Sequence, residues 1–422
     1  TLDNNGELHV NAVADATGSD AYALAENHQG VYVQALAGGV TTEGGDANAL
    51  IANDGVIGVM AYASARATDS VNFATATARV GDAIDIYATA NGTGDAFASI
   101  TGLGSLDVMA VARANNFNAY AEANAYITGA GVDQSVNAVS GSAAGLIDQA
   151  DGIDVIAIAS AAGATAYALA SVDTGIEQFV YAGDGDATAS IVLGGYNTIG
   201  AFADVNGTEE RGQAIAVLGT AIHQEAEAFG GGDARVNISN LGSLNIVADA
   251  HALANDTATA VAVVDGVANS AYAYGGGDAY NTGYNSGTFD VLALADATGQ
   301  TAVAVASASF ALIQIAGAYD TLLDGGNALV AMDNNNQILL GAFANADGTG
   351  GYATAVANAG LAYGGFAYAS EGNATAILTN DGDITAVAEA YADAGSRLIG
   401  VGPTQTTFVG DAAAVAVVGA AV

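Results

Sequence analysis

Cysteine, tryptophan and lysine are all absent from this chain, and proline occurs once, at Pro403. Without cysteine there are no disulfide staples and no thiol chemistry. Cations are scarce as well. Six arginines stand against 44 acidic residues, and the formal net charge is −38. A chain of this sign repels nucleic acid backbones and anionic membranes, so neither is expected as a partner. Divalent cations, or salt that screens the self-repulsion, are expected instead. No stretch approaches the roughly 18–20 uninterrupted apolar residues of a membrane span, and no membrane insertion is expected. The first residue is Thr1, and no signal-peptide pattern follows it. The chain therefore reads as a processed mature protein or an excerpt. High charge alone suggests disorder, but 52% of the residues are hydrophobic, too many for a solvated coil.

What is present is repetition. The phrase "GGDANALIANDGVIGVMAYASARA" at 44–67 returns as "TGDAFASITGLGSLDVMAVARA" at 93–114 and as "GGDARVNISNLGSLNIVADAHALA" at 231–254. Anchored on one turn residue, the copies fall at Gly6, Gly55, Gly104, Gly152, Gly195, Gly242, Gly287, Asn336 and Gly382. This predicts nine repeats of about 47 residues in one continuous array over residues 1–422. Nine residues before the anchor stands Asp46, Asp95, Asp186, Asp233, Asp278, Asn327 or Asn373. The repeat at Gly152 breaks that spacing by one residue and carries Ser142. Two residues before the anchor, asparagine recurs at Asn4, Asn53, Asn240, Asn285, Asn334 and Asn380. Asn-x-Gly is a turn signal, because both residues tolerate left-handed backbone angles.

After each anchor the side chains alternate with period two. Leu106, Val108, Ala110 and Ala112 share one face, as do Leu244, Ile246, Ala248 and Ala250. Period two predicts strands with one buried face, running from large to small residues. Each repeat reads as about four strands, for example "ARVNISN", "LNIVADAHALA", "TATAVAVV" and "NSAYAYG". Alanine favours helix by propensity, but the alternation, the Val and Tyr content and the frequent Gly oppose it. The expected fold is all-β, a β-solenoid with no cap at either end. A β-propeller or a stack of β-sandwich modules is the alternative.

Joined to a second copy, the chain reads "VVGAAV" and then "TLDNNG". Gly382 to the next Gly6 is then 46 residues, one period, with Gly419 in the Asp/Asn position. The expectation is a head-to-tail homopolymer with Thr1, Leu2, Asn4, Gly419 and Val422 at the interface. Residues 395–410 read as an inserted loop that carries Arg397 and Pro403.

Stacked repeats would align Asp46, Asp95, Asp186, Asp233 and Asp278 along one edge, a possible Ca²⁺ ladder of hard oxygen ligands. The other reading is that Asp and Asn satisfy turn N–H groups, which explains why Asn replaces Asp. His9, His28, His223 and His251 are scattered and read as surface residues. Asn91, Asn206 and Asn255 open Asn-x-Ser/Thr triplets of the kind chance supplies in such a chain. Threonine holds no fixed slot, against an ice-binding face. No nucleophile elbow, phosphate loop, zinc spacing or distinctive carboxylate pair is found, so no cofactor beyond Ca²⁺ and no catalysis is expected.

Through "GDAxAxIxNxGxLxVxAxAxA" the chain resembles the large, repetitive β-strand exoproteins and adhesins of Gram-negative bacteria. The resemblance implies secretion, a β-solenoid and a role in surface structure or attachment. The expected function is a structural subunit of an extracellular filament or matrix. An adhesin or binding module is the alternative, favoured if Tyr272, Tyr274, Tyr280 and Tyr284 form one patch.

Overall fold

The computed structural model describes residues 1–38, 45–68, 72–319, 326–349, 351–394, 396–399, 406–409 and 411–420, with backbone alone at 117–118, 396–399 and 406–409. Pro403 and Val422 lie outside them. The described chain is all-β, without helix or closed barrel. Strand positions recur in a fixed order: a short first strand, a second of about twelve residues and a longer third, as in Ala234–Asn240, Ser243–Ala254 and Thr257–Tyr274. We call one traverse of the three a rung.

Each strand pairs in parallel with the same position of the rungs before and after. The first positions form a nine-stranded sheet, and the second and third form a fifteen-stranded one. These two merge because Ser105–Ala138, Gly152–Ala182 and Tyr196–Ala228 run on from second to third position without a break. Parallel pairing between segments 44 to 53 residues apart, and 59 across the insertion, is compatible with a β-solenoid. The antiparallel blades of a propeller and the antiparallel sheets of sandwich modules are not what these strands make.

The interior follows the alternation. Leu106, Val108, Ala110 and Ala112 are fully buried, as are Leu244, Ile246, Ala248 and Ala250. Parallel in-register stacking places each over its equivalent, Leu106 on Ile57 and Ala110 on Ala61. Burial of such columns outweighs the helix preference of alanine.

Three expectations are corrected by the register. The third and fourth strands read in each repeat are one strand with a bend: Thr257–Tyr274 covers both, and its register shifts between Val264 and Val267. Gly266 sits at that bend, where a Cβ would come within 2.2 Å of the Ala311 carbonyl. The chain there is pressed against its neighbour and turns without leaving the sheet. Secondly, Gly152 pairs with Ser105, so the anchor of that rung is Asp151. Ser142 then stands nine residues before it like its equivalents, and no residue is inserted.

Thirdly, the last repeat is not one plain period. Ala394 pairs with Gly348 and Asp411 with Tyr352, so the sixteen residues 395–410 stand where the rung before has three, 349–351. The surplus is the predicted insertion, whose backbone forms an antiparallel hairpin, Ser396–Ile399 with Thr406–Val409. Ala420 pairs with Leu361, which places Gly419 beside Gly360 at the third-strand bend, not in the Asp/Asn position. The 46-residue junction counted the insertion as part of a rung.

Candidate functional site

The Asp/Asn position lies at the corner before each first strand, and its members meet as a ladder. Each side chain accepts a hydrogen bond from the backbone N–H of its equivalent one rung on. Asp46 Oδ1 accepts from Asp95 at 3.1 Å, Asp95 from Ser142 at 2.8 Å, Asp186 from Asp233 at 2.9 Å and Asp233 from Asp278 at 2.9 Å. Asp278 accepts from Asn327, and Asn327 accepts from Asn373 at 3.0 Å. An amide oxygen does this as well as a carboxylate oxygen, so Asn and Ser142 fit the column. At Asp186, Asp233 and Asp278 the second carboxylate oxygen has a partner too. Arg235 donates to Asp233 Oδ2 at 2.6 Å and lies 3.8 Å from Asp186, while Tyr280 donates to Asp278 Oδ2 at 2.6 Å. The N–H of Asn327 and the Tyr280 hydroxyl hold the Asp278 carboxyl below its ordinary range. Among the described residues no group of three or more His, Asp or Glu side chains could hold a metal ion. The Ca²⁺ reading draws no support from this geometry.

A second ladder runs inside the Asn-x-Gly turn. Asn4 Nδ2 donates to Asn53 Oδ1 at 2.8 Å, and Asn240, Asn285, Asn334 and Asn380 form a relay at 2.7–2.8 Å. Buried amides are tolerable there because each satisfies the next.

The sequence reading missed a third polar column. Gln134, Gln178 and Gln224 point into the core from the third strand and are fully buried. Gln224 donates to Gln178 Oε1 at 2.7 Å, and Gln178 donates to Gln134 Oε1. Each also donates across the interior to a first-strand carbonyl, Leu146, Ser190 or Asn237. The column thus ties two faces together. At Asn269, one carbon shorter, the relay stops, and its amide and Gln224 Oε1 are left without partners. Asn281 reaches across instead, accepting from Gln314 at 2.9 Å. The signal was legible as Val-Asp-Gln, Ile-Glu-Gln and Ile-His-Gln at 132–134, 176–178 and 222–224.

The outer face of the third strand carries most of the unusual electrostatics. Asp85, Asp133, Glu177 and His223 succeed one another in one column. Asp85 is buried, with Oδ2 accepting from Gln29 at 2.6 Å and Oδ1 unpartnered. Tyr87 donates to Asp133 at 2.5 Å. Burial raises the Asp133 carboxyl to about 6, with Glu177 and Asp85 adding repulsion against the Tyr87 hydrogen bond. Burial also raises Asp85. On the second strand, His251 lies 3.2 Å from Asp204 and 3.9 Å from Asp296, and the hydrogen bond to Asp204 raises its pKa. His9 and His251 are half-exposed, and no histidine among the described residues belongs to a metal cluster.

Further along the third face, aromatic rings stack from rung to rung. Tyr181 and Phe229 have centroids 5.1 Å apart, Phe229 and Tyr274 4.6 Å, and Tyr274 and Tyr319 5.6 Å. Tyr272 joins at 6.3 Å from Tyr319. Tyr280 and Tyr284 belong to the first-position strand Ala279–Asn285, outside this stack. Tyr272 and Tyr274 therefore do cluster, but with partners other than those expected.

Of the expected interface residues, Thr1, Leu2 and Asn4 lie on the first rung. Leu2 pairs with Ile51 and Asn4 with Asn53. No protein-family model, curated protein or solved structure matches the chain.

Proposed function

We propose that this chain is a β-solenoid of nine rungs and a structural subunit of an extracellular filament or matrix, stacking end to end with further copies. One pattern supports the reading: the register, carried on by one rung, sets like residues over like at the first and second strand positions and the first half of the third. Following the register from rung to rung, a second copy would set Leu2 over Leu378 and Asn4 over Asn380. It would set Leu8 over Ile384, Ala12 over Ala388 and Ala21 over Ala412. The Asn380 amide would then donate to Asn4 as Asn4 donates to Asn53. Apolar residues stand open at the last rung, where Ile377, Val415, Val417 and Val418 are each about half exposed. Open sheet edges with matched apolar columns favour association. The absence of lysine leaves few sites for trypsin-like proteases outside the cell. Secretion rests on the resemblance described above.

Like charges meet across such a junction, Glu7 above Asp383, in a chain of net charge −38. Assembly should therefore need salt or divalent cations.

Two blocked chains test the reading. Ala12→Asp places a charge on the first rung's inner face and Ala388→Asp on the last rung's. Each alone should sediment as a single particle, while an equimolar mixture should give one discrete heterodimer through its two intact ends. Variants that polymerise like the parent, or a mixture that stays monomeric, would refute head-to-tail stacking.

A binding role is the second reading, favoured by the aromatic stack of Tyr181, Phe229, Tyr274 and Tyr319. If that surface holds a partner, Tyr181→Ser with Tyr319→Ser should abolish retention on the partner while leaving assembly intact.

A further inference from the structure

The aromatic stack on the third strand encloses two acids. Tyr181, Glu227 and Tyr272 follow one another in a single column, with Phe229 two residues beyond Glu227 and Tyr274 two beyond Tyr272. Glu225 precedes Glu227 by two residues on the same outer face. The two carboxyls stand within hydrogen-bonding reach of each other. Burial raises the Glu225 carboxyl, and Glu227 beside it raises it further. Burial also raises the Tyr272 and Tyr274 hydroxyls, with the charge of Glu225 adding at the first and that of Glu227 at the second. Gly317 lets the neighbouring rings lie against the sheet, since a Cβ there would fall 2.6 Å from the Tyr319 ring and 2.9 Å from the Tyr272 ring. Tyr181 and Tyr319, at the two ends of the stack, are 39% and 41% exposed. The strands that carry this face are paired on both sides.

What the face lacks is a cation. His223 lies 3.9 Å from Glu225, and among the described residues no arginine pairs with either glutamate. Elsewhere the chain sets an arginine between an acid and a ring. Arg79 lies 3.2 Å from Glu26 and 5.8 Å from the centroid of Tyr126, and the three are successive members of one column. Arg235 lies 2.6 Å from Asp233 and 5.4 Å from the centroid of Tyr280. Glu227 and Tyr272 present the same acid and ring with no arginine between them. A guanidinium suits this surface better than an ammonium. Its planar fork addresses two carboxylates at once and its face stacks on rings, whereas an ammonium is a compact, strongly hydrated point charge. The chain itself is a poor source of that group, because three of its six arginines already lie over its own tyrosines.

We propose that Glu225 and Glu227, among the rings of Tyr181, Phe229, Tyr272 and Tyr274, receive an arginine side chain of a different polypeptide. The inference rests on the binding role given above as the second reading, and names the chemistry of the partner. That partner is a basic segment whose guanidinium stacks on the rings and bridges the two carboxylates. Complementary charge sets the choice of partner, and the rings set the preference for arginine over lysine.

The probe is the peptide Gly-Arg-Gly-Arg-Gly, titrated into the full chain by isothermal calorimetry at about 0.15 M salt, where remote charges are screened. Its control is Gly-Lys-Gly-Lys-Gly, of equal charge. The arginine peptide should bind about tenfold more tightly. Glu225→Gln with Glu227→Gln should lower its affinity about tenfold or more. Glu209→Gln with Glu210→Gln removes the same charge from an exposed part of the same strand and should change the affinity by less than about twofold. Phe229→Leu with Tyr274→Leu should bring the two peptides level. Equal affinities on the parent chain, no binding of either peptide, or equal weakening by the two glutamine pairs would overturn the proposal. The binding role is judged separately. Equal affinities that Tyr181→Ser with Tyr319→Ser abolishes would overturn the arginine assignment and keep the face as a binding surface, while affinities indifferent to rings and glutamates would remove both. The two peptides are compared on unaltered protein, so a variant that fails to fold leaves the test decisive.

Discussion

A buried glutamine is stable in this interior because its neighbours a rung away are glutamines too. Gln178 gives its amide hydrogens to Gln134 and to the Ser190 carbonyl and accepts from Gln224. Gln178→Leu keeps the volume but strips partners from groups above, below and across. We expect it to lower stability by about 1–3 kcal/mol, read from the denaturant midpoint. Replacing Gln134, Gln178 and Gln224 together should cost less than the sum of three single changes, because fewer stranded partners remain. A neutral single change would contradict the column's role. Asp133 makes a different prediction. Its folded pKa lies near 6, above the ordinary carboxylate value of 3.8, so the folded chain holds that proton more tightly than the unfolded one. This contribution is complete below pH 4 and is lost as pH rises through about 6. Allowing for partial solvent access, it is on the order of 1–2 kcal/mol. The melting temperature should fall between pH 4 and 7, and Asp133→Asn should flatten that fall relative to the parent.

Among elements, the corner before each first strand is the clearest case of a side chain completing a parallel ladder. Asp233 supplies the acceptor for the Asp278 N–H, so Asp233→Ala should cost about 1 kcal/mol while Asp233→Asn costs a few tenths. If the position instead served by its charge, both substitutions would act alike in thermal denaturation. The strands and their buried faces were legible because period two survives in each: Leu106, Val108, Ala110 and Ala112 are as interior as their spacing predicts. The corner position was legible too, as a recurring Asp or Asn beside a turn. Its chemistry was open, since a carboxylate column and a column of N–H acceptors look the same in sequence. Pairing direction and register were not legible. Alternation is common to parallel and antiparallel sheets, which left the propeller open. The bend at Gly266 looked like a turn between two strands because glycine marks both. At Asp151 the anchor was misplaced by one because the glycine fell on the next residue. The Gln column escaped notice because a polar residue on an apolar face interrupts the pattern used to find that face.

Over the whole molecule, repetition explains why so acidic a chain folds. Its charges lie on outer faces and corners, while every rung contributes the same small apolar residues to shared columns. In a parallel stack of this kind each rung offers its successor the edge its predecessor offered it. Head-to-tail stacking of copies is the proposal that such repetition suits. The 46-residue junction read from sequence counted an inserted hairpin as part of a rung. The proposed stacking rests instead on the register, which, carried on by one rung, would set Leu2 over Leu378 and Ala12 over Ala388. Electron microscopy of the purified chain at moderate salt, with calcium and then with chelator, tests this most directly. Head-to-tail stacking predicts filaments of uniform width with an axial repeat of about 43 Å, from nine strands spaced at about 4.8 Å. They should dissociate as salt and divalent cations are withdrawn. Discrete particles one subunit long under every condition would contradict the filament and leave the aromatic face of the third strand as the functional surface.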